Sequence, residues 1–559
     1  MLTALKYIGQ LLLENEQKEV VDILLENPDS NGTYKTVFVL EFDKDLNFKD
    51  VVVEEFKGEN WKIYLYKRAS GSNAPDFSPT SRITEPKKTL ENKILRWFEN
   101  HKNIPEINKI YKELENHKEE ILTKIKQNQT KDGKIITLKI DGKYLYEIEE
   151  PNFKEILIND FMAKIKEVSK KDAVCSVCGE KKDEVFTTSL IYKFYTLDKE
   201  CYITSGFSKK DAWKNFPICE ECFLKIDYAK KYIEEKLKFK FYGKDYYIIP
   251  KLILDTPEAL KEINEILSYE AGKITLENKK LITDDKEEIF EILKDYKDVV
   301  SFYLLFLKKD NAAERILLSI EDVLPSRIHK IFDAKEKVDK IFSQEYNFGK
   351  IVRFLDEFDK TFYEVIDKIF KEGKIDFKTL IQIFNKKIRE NFLNGNNFSY
   401  TVFDALMNIK FFEEIGLLQY EGEIMENSKF EKIYQKVGKS LNTPAKRGIF
   451  LLGALTQMLL NIQAQERQST PFVKNLKGLK MNEEDIKGLL AKVINKLMEY
   501  DKYDKGKKEI AEEISKNLLS EDKFKLNIDE INFYFVSGMA LYKDVANVVY
   551  ENEKESQTV

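Results

Sequence analysis

Hydrophobic and polar positions change period several times along this chain, and each change predicts a change of element. Residues 1–16 place Leu2, Leu5, Ile8, Leu11 and Leu12 on one stripe at helical spacing, which predicts an amphipathic helix. Three segments then alternate large apolar with polar residues at close to period two: 34–42 (YKTVFVLEF), 48–56 (FKDVVVEEF) and 61–66 (WKIYLY). Successive side chains of a strand point to opposite faces, so each segment is expected to be a strand. Helical spacing returns over 88–129. Segments 134–140 and 143–148 flank Asp141-Gly142, a pair suited to a two-residue hairpin turn. Residues 153–169 read as helix and 246–249 as strand. Residues 302–307 fit a strand or a buried helical turn. From about Pro257 helical periodicity dominates, up to a polar tail, 547–559, expected to fray.

One stretch interrupts these patterns. Residues 67–86 (KRASGSNAPDFSPTSRITEP) hold Gly71, Pro75, Pro79, Pro86 and four serines, in a chain with only 22 Gly and 12 Pro among 559 residues. That density of turn formers predicts a loop. Elsewhere the scarcity of Gly and Pro favours long regular elements, and 38 Phe and 28 Tyr need cores to bury them. No apolar run approaches the ~20 residues of a membrane span. The longest, 299–307 and 448–462, are short or interrupted by Thr456 and Gln457. The opening MLTALKYIGQLLLENEQ has no basic region or cleavage site, so it reads as an ordinary helix. The expectation is a cytoplasmic protein with no membrane partner.

The net charge of −5 hides local blocks. Residues 62–96 carry 8 basic against 3 acidic side chains, residues 425–480 carry 10 against 3, and residues 255–298 carry 7 against 13. Confined basic blocks on a weakly acidic protein can bind phosphate backbones locally. Solvated helix faces in a lysine-rich chain are the alternative.

The cysteines carry the sharpest chemistry. Cys175-Ser-Val-Cys178-Gly179 and Cys219-Glu-Glu-Cys222 are two C-x-x-C pairs, and Cys201 lies between them without partner spacing. Two such pairs can set four thiolates around one zinc ion, a closed structural site with no open position. A thioredoxin-like redox site needs a single pair in a βαβ setting, which is absent, and a reducing cytosol disfavours disulfides. Between the pairs, Tyr192, Lys193, Phe194, Tyr195, Asp198, Lys199, Phe207 and Trp213 interleave rings with charge. Such rings can stack on bases or pack on their own domain. His101, His117 and His329 are too scattered for a multi-histidine site. Phosphate-binding glycine loops, the nucleophile elbow and H-E-x-x-H are missing. The pair Asp284-Asp285 reads as a helix cap rather than a metal-binding palm.

In this order the motifs resemble the large subunit of type I-B CRISPR Cascade complexes, the Csh-type family. The resemblance rests on the two knuckles around Lys193-Phe194-Tyr195 and Asp198-Lys199. It extends to Tyr64-Leu65-Tyr66 with Ser78-Pro79-Thr80, Glu321 to Arg327, Phe450-Leu451-Leu452-Gly453, Arg467, Pro471-Phe472, and Phe533 to Gly538. It implies a non-catalytic subunit of a crRNA-guided complex, near the 5′ handle of the crRNA. Its N-terminal part would read the protospacer-adjacent motif in target duplex DNA and aid R-loop formation. Its C-terminal part would lie along the displaced strand. Implied partners are the backbone and crRNA-end-capping subunits, a separate helicase-nuclease, and a small subunit that can start internally, here at Met407 or Met425.

The basic blocks supply candidate contacts: Lys67, Arg68, Arg82, Lys87 and Lys88 around the loop, Lys193 and Lys199 between the knuckles, and Lys436, Lys439, Lys446, Arg447, Arg467 and Lys474 farther on. Pro444 suits the first turn of a helix whose N-terminus would attract phosphate. The expected fold is α+β, predominantly α. It comprises an N-terminal α+β domain (1–170, with the basic loop 67–86), an inserted four-cysteine zinc domain (171–245), a mostly helical middle (246–424) and a C-terminal helical bundle (425–559) resembling a small subunit. Two other functions fit parts of the sequence: a zinc-containing nuclease or polymerase-like enzyme, and a protein-binding scaffold.

Overall fold

The segment YKTVFVLEF forms β1 (Tyr34–Phe42), the strand on which the N-terminal sheet is built. It pairs antiparallel with β2 (Phe48–Glu55) and parallel with β4 (Gly133–Ile140), and the order is β2-β1-β4-β3, where β3 is Ser81–Ile83. The short β5 (Lys143–Tyr144) returns along β4 through Asp141 and Gly142, both at positive φ as a tight hairpin turn requires. Val37–Leu40 are all buried, so β1 is covered on both faces.

This computed structural model describes the whole chain except residues 17, 30–31, 70–73, 129–131, 188–190, 195–208, 254–257, 259, 266, 269–293, 295–297, 311–312, 356–358, 421–427 and 557–559. Lys199, Cys201, Asp284, Asp285 and Met425 therefore lie outside the described residues. The chain forms two units: Met1–Lys238 with 260–265 and 308–316, and the remainder.

In the first unit the predicted opening helix is α1 (Leu2–Glu16), with Leu5 and Ile8 buried, followed by α2 (Val20–Leu24). The crossover from β3 to β4 runs through α3 (Pro86–Thr89), a π-turn (Leu90–Leu95), α4 (Arg96–Asn100), α5 (Pro105–Asn116) and α6 (Lys118–Gln127). After β5 comes α7 (Phe153–Ile165). Two expectations are corrected. WKIYLY is no strand; Gly58–Tyr64 is a 3-10 helix. Ile63, Tyr64, Leu65 and Tyr66 are all buried in succession, and the Tyr64 ring stacks on Phe56 at 5.2 Å, which an alternating strand could not do. The loop expected over 67–86 is cut short: residues 74–80 are loop, but Ser81–Ile83 is strand β3. Asp76, Ser78, Thr80 and Ser81 are buried, and the Thr80 hydroxyl donates to the Tyr64 carbonyl at 2.6 Å.

A further sheet, ordered β12-β11-β10-β9, lies in the second unit apart from Lys238 and residues 308–316: β9 (Lys238–Phe241), β10 (Lys244–Leu252), β11 (Val300–Asp310) and β12 (Ala313–Val323). The strand expected at 246–249 lies within β10, and 302–307, which fits a strand or a helical turn by sequence, is strand; β12 falls where the sequence reads as helical periodicity. Val300 to Leu307 are all buried, so the strand shows a continuous apolar run instead of alternation. Helices α9 (Pro325–Phe342), α10 (Gly349–Leu355), α11 (Asp359–Lys371), α12 (Phe377–Leu393), α13 (Phe398–Glu414) and α14 (Glu431–Val437) follow. The C-terminal bundle is α15 (Pro444–Arg467), α16 (Glu483–Glu499), α17 (Lys505–Leu519), α18 (Ile528–Ala540) and α19 (Tyr542–Ser556). The last helix replaces the expected frayed tail, because buried Val545 and Val549 anchor one face of it.

Helices α15 and α18 cross with their backbones in contact. A Cβ on Gly453 would lie 1.9 Å from the Phe535 carbonyl oxygen, and one on Gly538 would lie 1.7 Å from that of Phe450. Gly453→Ala or Gly538→Ala is expected to cost about 3 kcal/mol by forcing the helices apart. Exposed Gly488 in α16 meets nothing within 4 Å, so Gly488→Ala should gain about 0.5–1 kcal/mol. Denaturant titration of the three variants checks both signs.

His101 gives the first unit a pH dependence. Its Nδ1 faces the Trp97 carbonyl at 2.8 Å and its Nε2 faces the Asp160 carboxylate at 2.9 Å, so both nitrogens donate and the ring is an imidazolium. Burial opposes the charge, but Asp160 and the carbonyl outweigh it and raise the pKa. The contribution is complete below the ordinary histidine value of ~6.5 and is lost as pH rises through the raised folded value. His101→Gln should therefore lose about 1 kcal/mol at pH 5 and little at pH 9, read from denaturation at both pH values.

Candidate metal centre and nucleic-acid interface

The two C-x-x-C pairs meet through a small sheet. Strand β6 (Ser169–Val174) leads into Cys175, β7 (Lys181–Thr187) leaves the first knuckle, and β8 (Pro217–Ile218) precedes Cys219. β7 pairs with both β6 and β8, which brings the second knuckle beside the first. The Ser176 amide and hydroxyl both donate to the Pro217 carbonyl at 2.8 Å and lock the two turns together. Gly179 closes the first turn at φ +74°, with its amide on the Cys175 carbonyl at 2.9 Å. Cys219 is the N-cap of α8 (Glu220–Lys236), and Cys222 lies in the first turn.

The four sulfurs of Cys175, Cys178, Cys219 and Cys222 lie within 4.8 Å of one another, and all but Cys178 are buried. A tetrahedral ion with ~2.3 Å bonds needs sulfurs about 3.8 Å apart. Backbone amides of Val177 and Cys219 point at Cys175 Sγ, each at 3.4 Å. Donation from Cys222 first, and from the other thiols, pulls Cys219 down to about 5, while Cys222 is pushed up. Four soft sulfur donors fit a thiophilic metal and not magnesium or calcium. A metal held by all four sulfurs would have every ligand supplied by protein and no open position.

Helix α8 carries the centre's rigidity onward. Two turns from the thiols it bears Asp227 and Lys231, paired at 3.0 Å. The Lys231 ammonium also donates to the Ile23 carbonyl at 2.6 Å, capping α2. Lys67 completes the group: 6% exposed, it pairs with Glu26 at 2.7 Å and lies 5.0 Å from the Phe161 ring. Burial would lower its pKa, but Glu26 and Asp227 hold it above the ordinary value. Lys67 is an internal cation, and the expectation of an exposed phosphate contact there is corrected.

The loop after Lys67 is fastened at its neck. The Phe77 amide donates to the Lys67 carbonyl at 3.0 Å, and the Ala69 amide to Asp76 Oδ1 at 3.1 Å. Lys93 and the Ser81 hydroxyl also bond to Asp76. Asp76, the lone acid of the segment between Lys62 and Thr84, was the unused signal in the sequence. Arg68 stands exposed at this neck, and Lys87 and Lys88 are exposed at the start of α3, Lys88 beside Glu85 at 2.6 Å. Arg82 is half-buried, with Nε on the Pro28 carbonyl at 2.8 Å and its guanidinium over Tyr34. Lys193 is exposed, but Tyr192 is buried and stacks on Phe194 at 4.8 Å, so these two rings pack inward.

In the second unit the basic block separates by burial. Arg447 is 5% exposed, bonded to the Leu441 carbonyl at 3.1 Å and paired with Glu431 at 3.3 Å. Lys446 turns back to Asn442 at 2.8 Å, and burial lowers its pKa. Both are corrected from an open strand track to internal anchors. The Thr443 hydroxyl accepts from the Lys446 amide at 3.4 Å, so the start of α15 already has its cap. Lys436 pairs with Asp544 at 3.2 Å. Lys439, Arg467 and Lys474 are exposed, Arg467 lying over the Tyr500 ring at 5.2 Å.

The fold and the site define a mixed α+β protein pinned by a four-cysteine knuckle. Family models for the N-terminal, central and C-terminal domains of CRISPR-associated protein TM1802 match residues 1–159, 172–323 and 346–553, and the chain belongs to this large-subunit family. No curated protein matches it. Among the described residues no helix is long and apolar enough to cross a membrane.

The metal centre yields a direct expectation. Purified protein should release one metal ion per chain to a chelator with a loss of helix signal, and Cys178→Ser should abolish the bound ion. Metal analysis that finds none, in protein that stays folded, would refute it.

Proposed function

We propose that this chain is the non-catalytic large subunit of a crRNA-guided DNA surveillance complex of type I-B, with zinc as the ion in its four-cysteine knuckle. The observation that carries the reading is the family match along all three parts of the chain. Sequence readout belongs to the guide RNA, so the protein needs only a short duplex reader and a path for the displaced strand. The neck clasped by Asp76 suits the duplex reader, since exposed Arg68 at its base and exposed Lys87 beyond offer phosphate contacts. Arg467 and Lys474 suit the path for the strand. Cutting is assigned to a separate helicase-nuclease, and the remaining partners are crRNA, backbone subunits, the end-capping subunit and a small subunit in the cytoplasm. For an internal start we favour Met425. Met407 is fully buried in the middle of α13, where a new terminal ammonium would be desolvated.

In the assembled complex, Arg68→Ala/Lys87→Ala should weaken binding to target duplex and reduce the log–log salt slope by about 2, at about 0.9 per phosphate contact. Arg467→Ala/Lys474→Ala should spare duplex capture and shorten retention of the displaced strand. Unchanged binding in both would sink the reading. Magnesium-dependent cleavage by the repurified chain would favour the nuclease alternative instead.

A further inference from the structure

The second unit holds a cavity of 340 Å³ that none of the sequence motifs touches. It is lined by Arg353 and Phe354 from α10, Lys386, Lys387 and Asn391 from α12, and Tyr400, Thr401 and Asp404 from α13, among others. Its size sits at the lower end of ordinary ligand pockets, about 300–1,000 Å³. Asp404 is buried, and its two oxygens are shared between Lys350 at 2.7 Å and Arg353 at 2.8 Å. Lys350 therefore balances the carboxylate from behind, and Arg353 is held in place by one bond while its side chain stays 67% exposed. A guanidinium oriented in this way keeps donors for a second anion. Among the described residues the one further acid on the wall, Glu390, pairs with Lys387 at 3.0 Å. With Lys350 also on Asp404, the described cations outnumber the described carboxylates around the pocket, which favours an anion.

Tyr400 makes that anion more specific. It lies in the first turn of α13 and is 68% exposed, with no buried role to hold it there. An exposed ring beside a cationic wall suits a flat ring joined to a phosphate, since stacking and charge then act on one ligand. The polar floor, where Asn391 donates to the Thr401 hydroxyl at 2.7 Å, suits such a ligand better than a lipid chain.

We propose that this pocket takes one nucleotide of a single strand, its phosphate on Arg353 and its base on Tyr400. The assignment deepens, and rests on, the reading of the second unit as a carrier of single-stranded DNA. The test uses the full chain and fluorescein-labelled oligo(dT). Tyr400→Ala should weaken binding about tenfold, and Tyr400→Phe should restore it, as loss of one stacked base predicts. Arg353→Gln should lower the salt slope by about 0.7. An abasic strand of equal length should bind Tyr400→Ala and the parent chain alike. Equal oligo(dT) affinity for Tyr400→Ala and parent overturns the pocket. If Arg467→Ala/Lys474→Ala still weakens binding in that case, the broader strand reading survives. A loss in Tyr400→Ala that is as large on abasic DNA overturns base stacking, as does displacement of oligo(dT) by inorganic phosphate with no base dependence. No binding of oligo(dT) by the parent chain overturns pocket and strand reading together.

Discussion

A charge removed from water needs an opposite charge or a set of dipoles beside it, and the first unit is tied together by meeting that need along one helix. The N-terminal turn of α8 presents two of the four thiols. Its next turns present Asp227 and Lys231, which draw in Lys67 and Glu26 and the carbonyls that end α2. None of these groups can leave alone, because each departure strands a partner in a poorly solvated place. The sulfur cluster at one end of the helix and the ion pairs along its length thus hold the start of the loop at Lys67 in a fixed position. Asp76 then fastens the other side of the same loop. The two sides of the loop are thus held by two separate sets of contacts, Glu26 and Asp227 at Lys67 and the Asp76 carboxylate beyond it.

The second unit solves a related problem without charge. Between α15 and α18 the absence of two Cβ atoms does the fixing: the backbone of Gly453 lies against the Phe535 carbonyl and that of Gly538 against the Phe450 carbonyl. This accounts physically for two motifs whose meaning was opaque in the sequence, the Leu-Leu-Gly ending at Gly453 and the Val-Ser-Gly ending at Gly538. They are two halves of one crossing. Arg447 and Lys446, which looked like surface charge, belong to the same packing problem, because their heads seal the entrance of α15 against Glu431 and Asn442.

What could be read from the sequence followed period and spacing. The strand at 34–42, the Asp141-Gly142 hairpin and the helix opening at Pro444 were legible because their signals are local. The cysteine spacing gave the ligand set, and the structure draws the four sulfurs together. Residues 61–66 misled because four successive side chains are buried, and 300–307 stayed ambiguous between strand and helix because a strand covered on both faces has no alternation to show. The charge blocks misled in a different way. Whether a lysine is solvent-facing depends on acids distant in sequence, Glu26 for Lys67 and Asp544 for Lys436, and no window of composition contains that information. The pocket around Tyr400 was invisible for the same reason, since its walls come from three helices with no shared motif.

The glycine crossing also bears on how the chain is made. Its two halves are widely separated in sequence, and α15, buried on nearly every side from Ala445 to Leu460, leaves the ribosome well before α18 exists to cover it. Until the last helices are synthesised, that stretch is an uncovered apolar rod in a crowded cell. Pairing so non-local is slow to form. This close crossing in the finished protein is therefore a liability during translation, in the interval between the synthesis of α15 and that of α18.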